Sequence, residues 1–280
     1  MPEPPPTITP PRSAAEAAHV LPAVELEEAR HRHSLFAGVG LLLLSLVAFV
    51  VFGVVAYWIR GLAPLSTDLY VTHVLQTASL APVATAHPPV PIYDDMLEAV
   101  SIPGFWPYNL IMITIAVGVL LALKRVTEAG VAAVAFFGSQ GLVEVVKFIV
   151  NRPRPTLANA QVEFFTNGSS FPSGHAAGYV CLFGFLFYLA WALMRHGWAR
   201  RVVLVFTGAM VSLVGLSRIY LGQHWASDVL AGYALGFGWL CLCLWGYRRW
   251  EEWHLARLER LQQQARNAII TDKPGPAPAL

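Results

Sequence analysis

Residues 35–59 read LFAGVGLLLLSLVAFVVFGVVAYWI, 25 positions without a charge. About 20 apolar residues of helix cross the hydrocarbon core of a bilayer, so this run is long enough to span one. It exceeds the apolar core of a secretory signal and begins only after a 34-residue polar leader, so it reads as a retained helix. The composition around it agrees. Of 280 residues, 56% are hydrophobic and only 13% charged, and the mean hydropathy is +0.53; a soluble domain is about a quarter charged. A soluble globular fold is therefore excluded. The net charge of +2 is too balanced for a nucleic-acid partner bound through its phosphates. Cys181, Cys241 and Cys243 all lie in apolar runs and have neither the number nor the spacing of a disulfide framework or a zinc site.

Five more runs approach the same length: Phe105–Leu123, Ala129–Val150, Ala176–Met194, Val202–Leu221 and Val229–Tyr247. They predict an all-α fold, a six-helix transmembrane bundle over residues 35–247. Residues 1–34 read as a disordered segment apart from an acidic helical patch at Glu25–Arg32, and 248–280 as a surface helix followed by a Pro-rich tail. Within the long connection from Arg60 to Gly104, Leu65–Leu80 reads as a short interfacial helix. Lys and Arg favour one side of the membrane. Arg30, Arg32, Lys124, Arg125, Arg195, Arg200, Arg201, Arg248, Arg249, Arg257 and Arg260 flank it, against Arg60, Lys147, Arg152, Arg154 and Arg218 on the other. Both termini are thus expected in the cytoplasm.

An ionisable group inside a span costs about 2.5–3.5 kcal/mol on insertion scales, so each needs a reason. They are concentrated. Gln140, Glu144 and Lys147 recur at i, i+4 and i+7 and are expected on one face directed at the bundle interior. Glu144 fits either a pairing that neutralises Lys147 or a role in tuning the site. Asn151-Arg152-Pro153-Arg154-Pro155 then ends that helix. Phe171-Pro172-Ser173-Gly174-His175 opens the next one, where free N–H groups form an anion site and Gly174 admits an anion close to the chain. Ser217-Arg218 closes the fifth span, and His224 opens the sixth with Asp228 four residues on. On one helix face, the Asp228 carboxylate is expected to accept from one imidazole nitrogen and leave the other free to attack.

These residue types imply phosphoryl transfer at the non-cytoplasmic end of the bundle. Lys147, Arg154 and Arg218 would spread positive charge around phosphate oxygens, which is most of what such catalysis needs. His224 would attack phosphorus and His175 would protonate the leaving oxygen. No carboxylate cluster of metal-binding pattern accompanies them, so no metal or other cofactor is expected.

The motifs resemble those of the type 2 phosphatidic acid phosphatase (PAP2) superfamily, namely K-x6-R-P, P-S-G-H and S-R-x5-H-x3-D. Here they run from Lys147 to Arg154-Pro155, through Pro172-Ser173-Gly174-His175, and from Ser217-Arg218 to His224 and Asp228. The resemblance implies a metal-independent membrane lipid phosphatase working through a phosphohistidine. It implies Lys147, Arg154, Ser173, Gly174 and Arg218 as phosphate ligands, His224 as nucleophile, Asp228 as its partner and His175 as acid and base. Arg152 lies outside the pattern and reads as a loop charge. The expected substrates are bilayer lipid phosphates, among them phosphatidate, phosphatidylglycerophosphate, undecaprenyl pyrophosphate and lipid A phosphates. The short loops suggest a bacterial inner membrane with the site in the periplasm. The alternative is a transporter or lipid-binding protein with a phosphate site that does not turn over. Lipid preference and oligomeric state stay open.

Trp106, Trp198 and Trp250 are expected as interface anchors, and Gly232 and Gly236 as points of close helix packing. Phe164 and Phe165 fit either contact with a lipid chain or loop packing.

Overall fold

The computed structural model describes residues 38–61, 64–79, 91–162 and 166–271. The expectations for 1–34, for Phe164 and Phe165 and for the end of the tail lie outside them. Gly38–Tyr247 forms one compact unit, and the helical stretch from Arg248 belongs to a second. Among the described residues every regular element is helical: α1 (Gly38–Trp58), α2 (Ser66–Ser79), α3 (Pro91–Ser101), α4 (Tyr108–Ala122), α5 (Val126–Val150), α6 (Gly174–Leu193), α7 (Trp198–Tyr220) and α8 (Ala226–Thr271). Five of these are long and apolar enough to cross a membrane, or up to six if the bent pair Asp95–Gly104 and Tyr108–Ala122 forms one span.

That bend departs from the sequence reading. Phe105–Leu123 was expected as one helix, but α4 has only 15 residues, and the chain turns by 73° ahead of it. Pro107 removes an amide donor there, so a helix cannot run through. The connection 60–104 also holds two helices rather than one, α3 being the unforeseen addition.

Helices in lipid gain little from burying apolar faces, so close backbone approach and polar ties hold them together. Here α6 is the inner helix, with 61% of its spanning window buried against 22% in α1 and α5. Gly232 and Gly236 let α8 lie on it. A Cβ at Gly232 would come within 2.5 Å of the Ser173 carbonyl, and one at Gly236 within 2.7 Å of the Ala177 carbonyl. Ser45 donates to the Gly238 carbonyl at 2.9 Å, and the Tyr233 hydroxyl bridges Val211 and Gly215 at 2.6 and 2.9 Å. Cys181 and Cys241 are buried, and all three cysteines are free thiols. Trp106 and Trp198 are exposed. In the second unit Trp250 packs on Trp253, over which Arg257 lies.

Candidate active site

One end of the bundle gathers the C-termini of α5 and α7 and the N-termini of α6 and α8. Asn151 closes α5 in the left-handed conformation, its N–H returning to the Lys147 carbonyl at 2.9 Å. This turn aims the loop that carries Arg152 and Arg154 back over the bundle. The tight turn between α7 and α8 needs Gly222, whose φ is +64°, and a Cβ there would collide with the Gln161 carbonyl. The amides of Gln223 and His224 bond to the Arg218 carbonyl at 3.0 and 3.2 Å, which ties His224 to the end of α7.

His224 is buried in that turn. Its Nδ1 lies 2.7 Å from the Ser170 carbonyl, which can only accept, so Nδ1 carries the proton and Nε2 the lone pair. Nη1 of Arg154 stands 3.4 Å from that Nε2. Burial first, then the charges of Arg154, Arg218 and Lys147, pushes the imidazole well below its ordinary 6.5, so at neutral pH the ring is uncharged. Arg154 is anchored by the Gln223, Gly168 and Ser169 carbonyls. Burial lowers its guanidinium from its ordinary value while Asp228 and Glu144 pull the other way.

His175 sits at the start of α6 with its ring against the edge of Phe105, centroids 4.7 Å apart. A backbone hydrogen bond joins it to Ser101, while its buried Nε2 has no partner among the described residues. Arg218 also donates to Ser101, at 2.6 Å, and lies over Phe105 at 4.8 Å. Its buried Nε is unpartnered too. The Arg218 Nε–H is a buried donor without an acceptor, and His175 Nε2 becomes a second one when its ring is protonated.

Lys147 reaches over Gly174, where a Cβ would stand 3.8 Å from its ammonium. Gln140 donates to the Gly174 carbonyl at 3.2 Å. Ser173 caps α6 through a long 3.5 Å bond from the Ala176 amide, and its own N–H reaches the Asp228 carbonyl. The expected residues of the loop, α6, α7 and α8 thus join one continuous set of contacts, and Lys147 stands beside it over Gly174.

Three sequence expectations need correction. The α5 stripe does not face inward throughout, because the Glu144 side chain is 69% exposed. It pairs with Lys147 at 2.7 Å, as its neutralising reading required. Asp228 is 3.7 Å from Nδ1 of His224, which the Ser170 carbonyl occupies instead. The carboxylate instead accepts from the Trp225 amide at 2.9 Å and from Arg152. Arg152 is no loop charge. It is 1% exposed and lies between Asp228 and Asp68, which no sequence pattern singled out. The available clue was an acidic residue three positions after Leu65, a spacing that caps a helix start, and Asp68 does accept from the Leu65 amide at 3.1 Å.

The fold and the site together define a multi-span helical membrane protein with three cationic side chains and two histidines gathered at one end of its bundle. Residues 128–252 match the family model of the PAP2 superfamily. Phosphatidylglycerophosphatase B of Bacillus subtilis (strain 168) is 32% identical over 132 residues, which are 45% of this chain and 62% of that one. The chain thus spans less than two thirds of this relative's length. The crystal structure of a transmembrane PAP2 type phosphatidylglycerolphosphate phosphatase from Bacillus subtilis superposes with a TM-score of 0.57 at 23% identity, covering 71% of this chain and 94% of that one. The likeness shows the fold.

Proposed function

We propose that this chain is an integral membrane lipid phosphatase. It hydrolyses a phosphomonoester or pyrophosphate of a bilayer lipid through a phosphohistidine at His224. One observation carries the reading: Nε2 of His224, deprotonated because Nδ1 donates to Ser170, faces the guanidinium that would hold a phosphate in place. Lys147, Arg154 and Arg218, with the Ser173 hydroxyl and the free Gly174 amide at the start of α6, bind the phosphate oxygens. The Nε2 lone pair attacks phosphorus as the bond to the leaving oxygen breaks, and protonated His175 gives that oxygen its Nε2 proton. Water then attacks the phosphohistidine. Its proton returns to His175, the P–N bond breaks, and phosphate leaves with His224 neutral again.

The relative's name makes phosphatidylglycerophosphate the first substrate to try. Residues 35–247 form the phosphatase domain, set in a bacterial inner membrane with both termini cytoplasmic and the site periplasmic. Purified protein is expected to release phosphate from a short-chain lipid phosphate, to be inhibited by vanadate, which mimics five-coordinate phosphorus, and to lose at least about 1000-fold in kcat as His224→Ala. Equal activity in that variant overturns the mechanism.

A further inference from the structure

Asp68, on α2, belongs to no motif, yet it is 1% exposed and accepts four hydrogen bonds. Its donors are the Leu65 amide, Nη2 of Arg152 at 2.8 Å, and the amide and hydroxyl of Ser227, both at 2.9 Å. The Ser227 amide is an unpaired donor of the first turn of α8, so Asp68 caps that helix from a different element. Eight residues on, and on the same helix face, Gln76 donates to the Gln161 and Tyr220 carbonyls at 2.7 and 2.9 Å. Its Oε1 accepts from the Gln161 amide. His224 lies between Tyr220 and Ser227. One helix therefore grips the chain on both sides of the ring.

Arg152 extends the grip. Nη1 donates to Asp228 and to the Ser227 hydroxyl. Its backbone carbonyl accepts from the Ser170 amide at 2.8 Å, and Ser170 supplies the carbonyl that fixes the His224 tautomer. Buried ion pairs contribute little net stability against apolar replacements, whereas they can fix one geometry among several. This one is satisfied on both carboxylates, so the α8 N-terminus is already occupied by anions. The α6 N-terminus, capped by one long bond to Ser173, is the one left for a ligand.

We infer that α2 is a splint for His224, with Asp68 and Gln76 as positioning residues that act through Ser227, Arg152 and Tyr220. The inference rests on the phosphatase reading. Neither residue meets the phosphate, so Asp68→Asn and Gln76→Ala are expected to lower kcat by about 10- to 100-fold through misplacement of the nucleophile. KM and the vanadate inhibition constant should stay within about threefold, because the cationic ligands are untouched. A purely structural role would lower the melting temperature and leave the kcat of the folded fraction unchanged.

The companion readout is the 15N spectrum of the His224 ring, where both variants should show mixed tautomers in place of one. Should Asp68→Asn fail to fold, Gln76→Ala, which removes no charge, carries the test. A kcat within about twofold of wild type in folded variants overturns the splint and leaves the phosphatase reading standing. If the wild type releases no phosphate from any lipid, the phosphatase reading fails. The spectrum then decides the splint alone, an unchanged single tautomer in both variants overturning it.

Discussion

Neutral imidazole is the nucleophilic form, and at His224 both the surroundings and the hydrogen bonding favour it. Burial and three cations oppose protonation, while the Ser170 carbonyl fixes which nitrogen stays bare. The unfolded chain takes up this proton near pH 6.5, whereas the folded chain refuses it until the pH is well lower. Stability that His224 contributes is therefore complete above pH 6.5 and is lost as the pH falls from there toward the folded value. A 15N titration of the ring in phosphate-free protein is expected to give a midpoint below 6.5. Vanadate bound as the five-coordinate mimic engages the Nε2 lone pair and should abolish the titration, and a free midpoint at or above 6.5 would contradict this electrostatic account. Arg152 carries the opposite lesson. Sequence spacing left it outside the motifs, but its double ion pair depends on Asp68, 84 residues earlier, and no local pattern announces a partner so far away.

Among the elements, α6 and α8 meet through glycines whose missing side chains decide how deep the site can sit. A methyl at Gly232 would press on the Ser173 carbonyl at the point where α6 receives its cap. Gly232→Ala is expected to destabilise by about 1–3 kcal/mol and to weaken vanadate binding with it. Gly118→Ala on α4, where nothing lies within 4 Å, should be neutral or stabilising by about 0.5–1 kcal/mol. Denaturation in detergent with vanadate titration separates the two, and equal effects at both sites would remove the packing argument. The bend before α4 has its own use. It brings Ser101 to both His175 and Arg218 and sets Phe105 against both side chains. Gly104 allows this because a Cβ there would overlap the His175 ring.

For the whole molecule, site and opposite end are separated by the length of α6. Asn159 is exposed in the loop beside the site, and His196 is exposed beyond the far end of that helix. The proposed orientation expects Asn159→Cys to react with a membrane-impermeant maleimide in intact cells and His196→Cys to react only after lysis. The reverse pattern would invert the bundle.

Much of this was legible in the sequence because it is governed by short-range rules. Span length follows from bilayer thickness, the prolines after Asn151 stop α5, and the resemblance to three family motifs singles out Lys147, Arg154, Ser173, Gly174, His175, Arg218, His224 and Asp228. Tertiary structure decided what those rules do not reach. It gave the His224 proton to the Ser170 carbonyl rather than to Asp228, turned Glu144 outward, bent the chain before α4, and brought Asp68 and Gln76 of α2 to either side of His224. The physical reason is that a buried donor or acceptor takes whichever partner the packed backbone presents, and that partner depends on the whole arrangement rather than on nearby residues.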